Sequence, residues 1–293
     1  MAAASPPETI GLIGAGLLGT ALAERMLVAE FSLLVWDREE ARRTALAELG
    51  AARAANAKAI GERCTRIVLC LPDSNVVAAV IEEISGSLRA GSIVIDTSTG
   101  EPREAVQFAA FLANEGVVYL DATISGSSDQ LRRGEALGMV GGDAEAFARC
   151  TDLWVAWGGR TLHVGESGDG ARLKLVTNLV LGLNRAALAE GLALADAMGL
   201  DPAMALKVLR SGAAYSRIMD SKGEKMIMGD FAPQARLSQH LKDVRLILKS
   251  AAESGATLPL SETHRQLLER AEAEGFGALD NSAIIKVLKK PQA

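Results

Sequence analysis

Lys174 and Asn178 stand four residues apart in a long Ala/Leu-rich stretch without proline, so on a helix they share one face. Beside a substrate in a closed cleft, an ammonium on that face can pass a proton to or from a carbonyl or hydroxyl oxygen. Lysine suits the task because desolvation lowers its pKa towards neutrality. Spacing alone, however, is met better by a solvated surface lysine. A second candidate is Asp121-Ala-Thr-Ile-Ser125-Gly126-Ser127-Ser128. Its hydroxyls and N–H groups can hold a carboxylate, although a polar turn has the same composition. A third is His240-Leu-Lys242-Asp243, whose charges fit a surface ion pair equally well. The histidines His163, His240 and His264 and the cysteines Cys64, Cys70 and Cys150 show no metal-ligand spacing, and no metal site is expected.

The elements that must position these groups begin at Thr9-Ile-Gly-Leu-Ile-Gly14-Ala15-Gly16-Leu17-Leu18-Gly19. An apolar run ends in Gly14-x-Gly16-x-x-Gly19, and a helical pattern (Ala21, Leu22, Ala23, Met26, Leu27) follows at once. That order of strand, glycine turn and helix is what a dinucleotide pyrophosphate needs. The first glycine makes the turn, the second admits the phosphates, and the helix N-terminus faces their charge. Further apolar runs at Ser32–Trp36, Arg66–Leu71, Ser92–Asp96, Val117–Asp121 and Leu137–Val140 alternate with helical patterns. This predicts βαβ units and a mostly parallel sheet. Asp37 lies 23 positions past Gly14, near the offset at which an acid meets the adenosine ribose hydroxyls.

After Gly170 the pattern becomes wholly helical: Ala171–Met198, then stretches near Pro202–Ser211, Ser216–Met226, Leu237–Ser254, Pro259–Glu274 and Asn281–Leu288. The expected architecture is an α/β Rossmann domain at 1–165 and an all-α domain at 166–293, joined by the long helix. The chain has 293 residues, enough for two cores, and its net charge of −5 offers no general attraction to nucleic acid or an anionic membrane. Arg132-Arg133 and the tail Lys286, Lys289, Lys290 are too short for a binding patch. The odd, scattered cysteines suit reduced thiols, with Cys70 read as core. The first eight residues lack the basic and apolar regions of a signal peptide, and no apolar run reaches membrane-spanning length. The expected location is cytoplasmic.

In combination these segments resemble the β-hydroxyacid dehydrogenase family, which includes 3-hydroxyisobutyrate dehydrogenase and the tartronate-semialdehyde and glyoxylate/succinic-semialdehyde reductases. The resemblance runs in order along nearly the whole chain. Ile10–Gly19 is similar to the family's cofactor signature, and Cys70-Leu71-Pro72 and Asp96-Thr97-Ser98-Thr99 to its next two cofactor-lining turns. Asp121–Gly126 with Met139-Val-Gly-Gly142 resembles its substrate segment. Gly168-x-Gly170-x-x-x-Lys174-x-x-x-Asn178 resembles the catalytic segment, and Lys242-Asp243 the late Lys-Asp motif.

The resemblance implies that Lys174 is the general acid in carbonyl reduction and stabilises the alkoxide in alcohol oxidation. Asn178 would bind substrate or hold Lys174, with Asp243 supporting the cleft. Ser125, the Gly126 N–H and the neighbouring Ser127 would take the substrate carboxylate. The cofactor would lie against Gly14, Ala15, Gly16, Leu17, Leu18, Gly19, Asp37, Arg38, Cys70, Leu71, Pro72, Thr99 and Lys242. Thr123 stands in place of a usual proline, and Ser127 and Gln130 in place of usual glycines. These departures imply a changed substrate.

Asp37 favours NAD because it repels a 2′-phosphate. Arg38, Arg42 and Arg43 argue for NADP, since guanidinium groups suit phosphate; the balance falls to NAD. Two alternatives remain at this point. Imine reductases share the architecture but generally lack the lysine, and a non-catalytic dinucleotide-binding module would need neither Lys174 nor Asn178. The partners expected are a small carboxylic-acid substrate and a second copy or further copies of the chain, in a homodimer or homotetramer. Leu179, Leu183 and Leu194 serve that assembly or the core equally.

Overall fold

Each apolar run of the first half is a strand sealed on both faces, as a sheet covered by helices on two sides requires. The computed structural model describes residues 8–289. Residues 1–7, most of the segment read above as no signal peptide, and Lys290 of the basic tail lie outside the described residues. The chain divides into two units, 1–174 and 175–293.

In the first unit the strands are β1 (Thr9–Ile13), β2 (Ser32–Trp36), β3 (Ala52–Arg53), β4 (Arg66–Leu69), β5 (Ile93–Asp96), β6 (Val118–Ser125), β7 (Leu137–Gly141) and β8 (Thr161–Gly165). They form one sheet in the order β3-β2-β1-β4-β5-β6-β7-β8. Every neighbouring pair is parallel except β6 with β7. The helices are α1 (Leu17–Val28), α2 (Glu40–Glu48), α3 (Ala57–Arg63), α4 (Ser74–Ile84), α5 (Pro102–Ala113), α6 (Ser128–Arg132), α7 (Ala144–Arg149) and α8 (Thr151–Ala156).

Side-chain alternation divides the core into two layers. Ile10, Leu12, Val68, Ile93 and Ile95 pack on one face with Leu22 and Met26 of α1 and Trp154 of α8. Ile13, Ile67, Leu69 and Val94 pack on the other with Ile60 of α3, Ile81 and Ile84 of α4 and Leu112 of α5. The strand order reverses at β1, between β2 and β4, and ligands of open α/β sheets bind at such a reversal.

Three details depart from the sequence reading. β3 is two exposed residues and β8 is half exposed, so neither has an apolar period to reveal it. β4 ends at Leu69, which leaves Cys70 half-buried in the following turn rather than inside a strand. β6 runs four residues past the expected Asp121 because β7 pairs with it antiparallel, Asp121 opposite Gly141 and Ser125 opposite Leu137. Ser125 is therefore the last residue of a strand rather than part of a loop.

α9 (Asp169–Ala197) begins in the first unit and continues into the second. The second unit adds α10 (Pro202–Ser211), α11 (Ile218–Met228), α12 (Leu237–Glu253), α13 (Pro259–Ala273) and a 3-10 segment at Asn281–Val287. Asp201 caps α10 through the N–H groups of Ala203 and Met204, with Pro202 as its first residue. Leu188, Leu192, Leu206, Met226, Leu241, Val244, Leu268 and Ile284 form this unit's core. No helix among the described residues is long and apolar enough to cross a membrane.

Candidate active site

The glycine turn joins β1 to α1 at the sheet's reversal. Gly14 sits at φ +99°, and a Cβ there would lie 2.3 Å from the Cys70 carbonyl oxygen, so a side chain is excluded both by the backbone and by the β4 turn. Gly16 is the N-cap of α1, with no side-chain cap and no acidic residue in the first turn. A Cβ on Gly16 would meet nothing within 4 Å. The arrangement is an uncapped helix N-terminus behind open space, which fits a dinucleotide pyrophosphate.

Asp37 follows β2 and is 5% exposed. It accepts from Ala15 N at 2.7 Å with one carboxylate oxygen and from Glu39 N at 2.8 Å with the other, bracing the glycine turn. Arg42 pairs with Glu39 at 2.8 Å and approaches Asp37 at 3.6 Å. Arg38 is exposed.

The turns after β4 and β5 lock together. Leu71 N donates to the Ser98 hydroxyl at 2.9 Å, and Thr97 N and Oγ1 both donate to the Leu69 carbonyl. Asp96 accepts from Ser98 N and from the Tyr119 hydroxyl, at 2.8 and 2.7 Å. Burial pushes the Asp96 carboxyl above its ordinary range, and these hydrogen bonds oppose the shift. The Cys70–Pro72 and Asp96–Thr99 turns thus stand at adjacent carboxyl ends of the sheet, one of them in contact with Gly14.

The junction of β6 with α9 positions Lys174. Asp121 accepts from Gly168 N and Ala171 N, both at 2.8 Å, and so caps the first turn of α9. Burial is the largest influence on Asp121 and pushes its carboxyl up to about 6, against the two N–H donors. Thr123 donates to the Gly170 carbonyl at 2.9 Å, clasping the helix to the strand. One turn further, Lys174 is 8% exposed, and its Nζ donates to the Ile124 carbonyl at 2.6 Å. The ammonium therefore rests against the residue that precedes Ser125 and Gly126.

Ser127 and Gln130 form a capping box at α6: Ser127 Oγ accepts from Gln130 N at 3.2 Å, and Gln130 Oε1 accepts from Ser127 N at 2.8 Å. The two departures noted in the sequence thus satisfy each other. The roles of Asp121 and Thr123 had no local signal, since both bind residues 47 positions away.

In the second unit, Asn178 is 5% exposed, and its Nδ2 donates to Asp243 Oδ2 at 2.9 Å. Asp243 Oδ1 pairs with Lys242 Nζ at 3.1 Å. The structure thus forms two groups, Lys174 with β6 in one unit and Asn178, Lys242 and Asp243 in the other. α9 carries Lys174 and Asn178 one turn apart.

A glycine-cradled nucleotide turn and a buried lysine at a strand end, followed by a helical unit, define a nicotinamide-dependent oxidoreductase fold. Residues 9–165 match the family model described as the NAD binding domain of 6-phosphogluconate dehydrogenase. Residues 168–288 match that described as the NAD-binding domain of NADP-dependent 3-hydroxyisobutyrate dehydrogenase. The chain belongs to the β-hydroxyacid dehydrogenase family.

It is 32% identical to 2-(hydroxymethyl)glutarate dehydrogenase of Eubacterium barkeri over 282 residues, 95% of this chain and 94% of that protein. It is 33% identical to 2-hydroxy-3-oxopropionate reductase of Escherichia coli over 283 residues, 96% of this chain and 97% of that protein. A 3-hydroxyisobutyrate dehydrogenase crystal structure from Salmonella typhimurium superposes with a TM-score of 0.88 at 26% identity, covering 96% of this chain and 99% of that one. An imine reductase from Pseudomonas sp. is more distant, with a TM-score of 0.64 at 20% identity over 97% of this chain and 100% of that one, a likeness of fold.

Proposed function

We propose that this chain interconverts a small β-hydroxyacid and its semialdehyde, with Lys174 as general acid in reduction and proton acceptor in oxidation. The observation that carries the reading is the buried Lys174 ammonium on the Ile124 carbonyl, beside Ser125-Gly126. The nicotinamide, when bound, supplies or accepts the hydride at the substrate's carbinol carbon. The Gly14–Gly19 turn and the N-terminus of α1 would hold its pyrophosphate, with Leu71, Pro72 and Thr99 lining it. Ser125 and the Gly126 N–H would take the substrate carboxylate and set the carbonyl oxygen against Lys174. Asn178 would donate to the same oxygen or steady the lysine. Because Ser127 and Gln130 cap α6, any change in substrate relative to other members would come from their backbone placement as much as from their side chains.

For the cofactor, NAD is the reading we favour. Asp37 places negative charge beside the glycine turn, and the Arg42 charge is compensated by Glu39 and Asp37. A panel of 3-hydroxyacids, semialdehydes and cyclic imines, followed by reduced-nicotinamide absorbance with both cofactors, tests the whole reading. The expected result is turnover of semialdehyde acids with kcat/KM for NADH over NADPH of roughly tenfold, about 1.4 kcal/mol. Turnover of imines and of no acid would overturn the reaction, and a preference for NADPH the cofactor assignment.

Assembly into a homodimer or homotetramer is supported by Val176, Val180 and Leu194 of α9, which are 57%, 51% and 59% exposed. Apolar stripes of this kind mark association surfaces. Light scattering on the full chain should give a mass of two or four copies, and a monomer at micromolar concentration would contradict this.

A further inference from the structure

Three anchors tie the end of β6 to the start of α9. Asp121 Oδ1 accepts from Gly168 N and Oδ2 from Ala171 N, both at 2.8 Å. Thr123 Oγ1 donates to the Gly170 carbonyl at 2.9 Å. Lys174 Nζ donates to the Ile124 carbonyl at 2.6 Å. Gly168, Ala171 and Lys174 recur at every third residue, so the N–H groups that Asp121 holds and the lysine follow one side of the helix start. Asp121 thus fixes the turn that precedes Lys174.

That hold depends on charge. Each carboxylate oxygen takes one N–H, and charge-assisted bonds of this kind are roughly twice as strong as neutral ones. A proton on Asp121 turns one oxygen into a hydroxyl, a poorer acceptor that sets its own hydrogen against an N–H. The backbone has no slack to absorb this in place. A Cβ on Gly170 would lie 2.2 Å from the Asp121 backbone oxygen and 2.8 Å from its Oδ2, so helix and strand are already in close contact. Relief comes by lifting the first turn of α9 from the strand.

The surroundings of Asp121 bring its proton into reach. The side chain is buried, and the register of β5 with β6 places Asp96 beside Asp121. Both carboxyls line one cavity of about 10 Å³, the space of about one water molecule, together with Tyr119 and Thr123. The Tyr119 hydroxyl donates to Asp96 at 2.7 Å. From α5, Glu101 reaches the same cavity and the charge of Glu104 reaches Tyr119. From β7, uncharged Gly141 stands opposite Asp121. On α9, Arg172 is engaged by Asp169 at 2.6 Å and Lys174 by the Ile124 carbonyl. No lysine or arginine lines the cavity. Burial raises the Asp121 carboxyl most, its N–H donors oppose this and Asp96 adds to it, and the balance falls at about 6.

We propose that Asp121 is a positioning residue for the reaction assigned above: its carboxylate holds the first turn of α9 so that Lys174 stands against β6 beside Ser125, and protonation of Asp121 loosens that hold and slows proton transfer. The inference rests on the reading of Lys174 as general acid. A lysine in that role supplies no acid limb in carbonyl reduction, because it loses its proton only as pH rises. A substrate carboxyl titrates near pH 4, roughly the model-carboxylate range. An acid limb of kcat in reduction with a midpoint of about pH 6 is therefore the signature of Asp121.

The test uses the full chain and Asp121→Asn, which keeps the side-chain size and one acceptor oxygen but never carries the charge. In the parent, the Gly168 and Ala171 amide resonances and the Lys174 side-chain nitrogen, followed by NMR in labelled protein, should shift together with a midpoint of about pH 6. The kcat for semialdehyde reduction should fall with the same midpoint. Asp121→Asn should show neither transition. Well above that midpoint its kcat should be roughly 10–100-fold below the parent's, the scale of a misplacement of up to about 1 Å, with cofactor KM within about twofold. An Asp121→Asn chain that melts lower but keeps the parent's kcat and acid limb would make Asp121 a structural cap and overturn the proposal. So would a parent in which the two amides shift while the Lys174 resonance and kcat stay flat. If Asp121→Asn does not fold, the parent's titration decides alone. Should the parent turn over no semialdehyde or hydroxyacid, the reaction assigned above fails, and the joint or separate shift of the amides and Lys174 still decides whether Asp121 places the lysine.

Discussion

Lys174→Ala should lower kcat about 10³-fold or more, while affinity for the nicotinamide cofactor stays within about twofold, since proton transfer by a positioned side chain contributes roughly 10²–10⁴-fold. The separation of the two effects follows from where the groups lie. The glycine turn and its Asp37 brace are built on β1, β2 and α1. Lys174 touches β6 instead, through the Ile124 carbonyl. Removing the ammonium leaves that buried carbonyl one donor short, a cost of about 1–3 kcal/mol, too small to unfold a unit with two packed layers.

Arginine at this position separates charge from proton transfer. Its guanidinium would keep a cation near the substrate oxygen but cannot surrender its proton at any working pH. Lys174→Arg should therefore bind substrate with a KM near that of the parent and still turn over poorly. Steady-state kinetics and cofactor fluorescence titration measure both quantities. Undiminished kcat in Lys174→Ala would remove Lys174 from the mechanism, whereas parallel loss of cofactor binding would make it a structural residue.

The legibility of the chain divides by the range of the interactions involved. The glycine turn is local, and its strand, three glycines and helix start stand within eleven consecutive residues, so it could be read directly. The helices of the second half were equally legible, because α9, α10 and α12 keep an apolar period, a proline start or a glycine stop. What could not be read is long-range. Nothing near Asp121 indicates that its carboxylate caps a helix 47 residues later, or that β7 folds back to lengthen β6 through Ser125.

Ser127 and Gln130 carry a second, local signal. Besides departing from the family pattern, Ser-x-x-Gln is itself the signature of a capping box, and they fulfil it. The burial of Arg185, 2% exposed on α9, had no signal at all, since an arginine on an amphipathic helix reads as solvent-facing until its neighbours are known.

Gly170→Ala should cost about 3 kcal/mol and roughly 10²-fold in kcat, although the residue touches no substrate. A Cβ at Gly170 would lie 2.2 Å from the Asp121 backbone oxygen, 2.8 Å from Asp121 Oδ2 and 2.8 Å from the Met139 oxygen. Two of these atoms belong to paired strands and cannot yield, so the first turn of α9 must lift from the sheet. Overpacking of this kind costs about 1–3 kcal/mol. Weakening the charge-assisted bonds from Gly168 N and Ala171 N to Asp121 adds about 1.5–3 kcal/mol, of which the relaxed helix recovers part.

Lys174 lies one turn further along the same rigid element, so a shift of about 1 Å at Gly170 reaches its ammonium, and misplacement on that scale is worth about 10²-fold in rate. Gly191 provides the control on the same helix. A Cβ there meets nothing within 4 Å. Gly191→Ala should therefore gain about 0.5–1 kcal/mol from helix propensity and leave kcat unchanged. Thermal melts and steady-state kinetics on both variants decide the point. If Gly170→Ala matched Gly191→Ala in stability and rate, the close seat of α9 on β6 would have no part in placing the lysine.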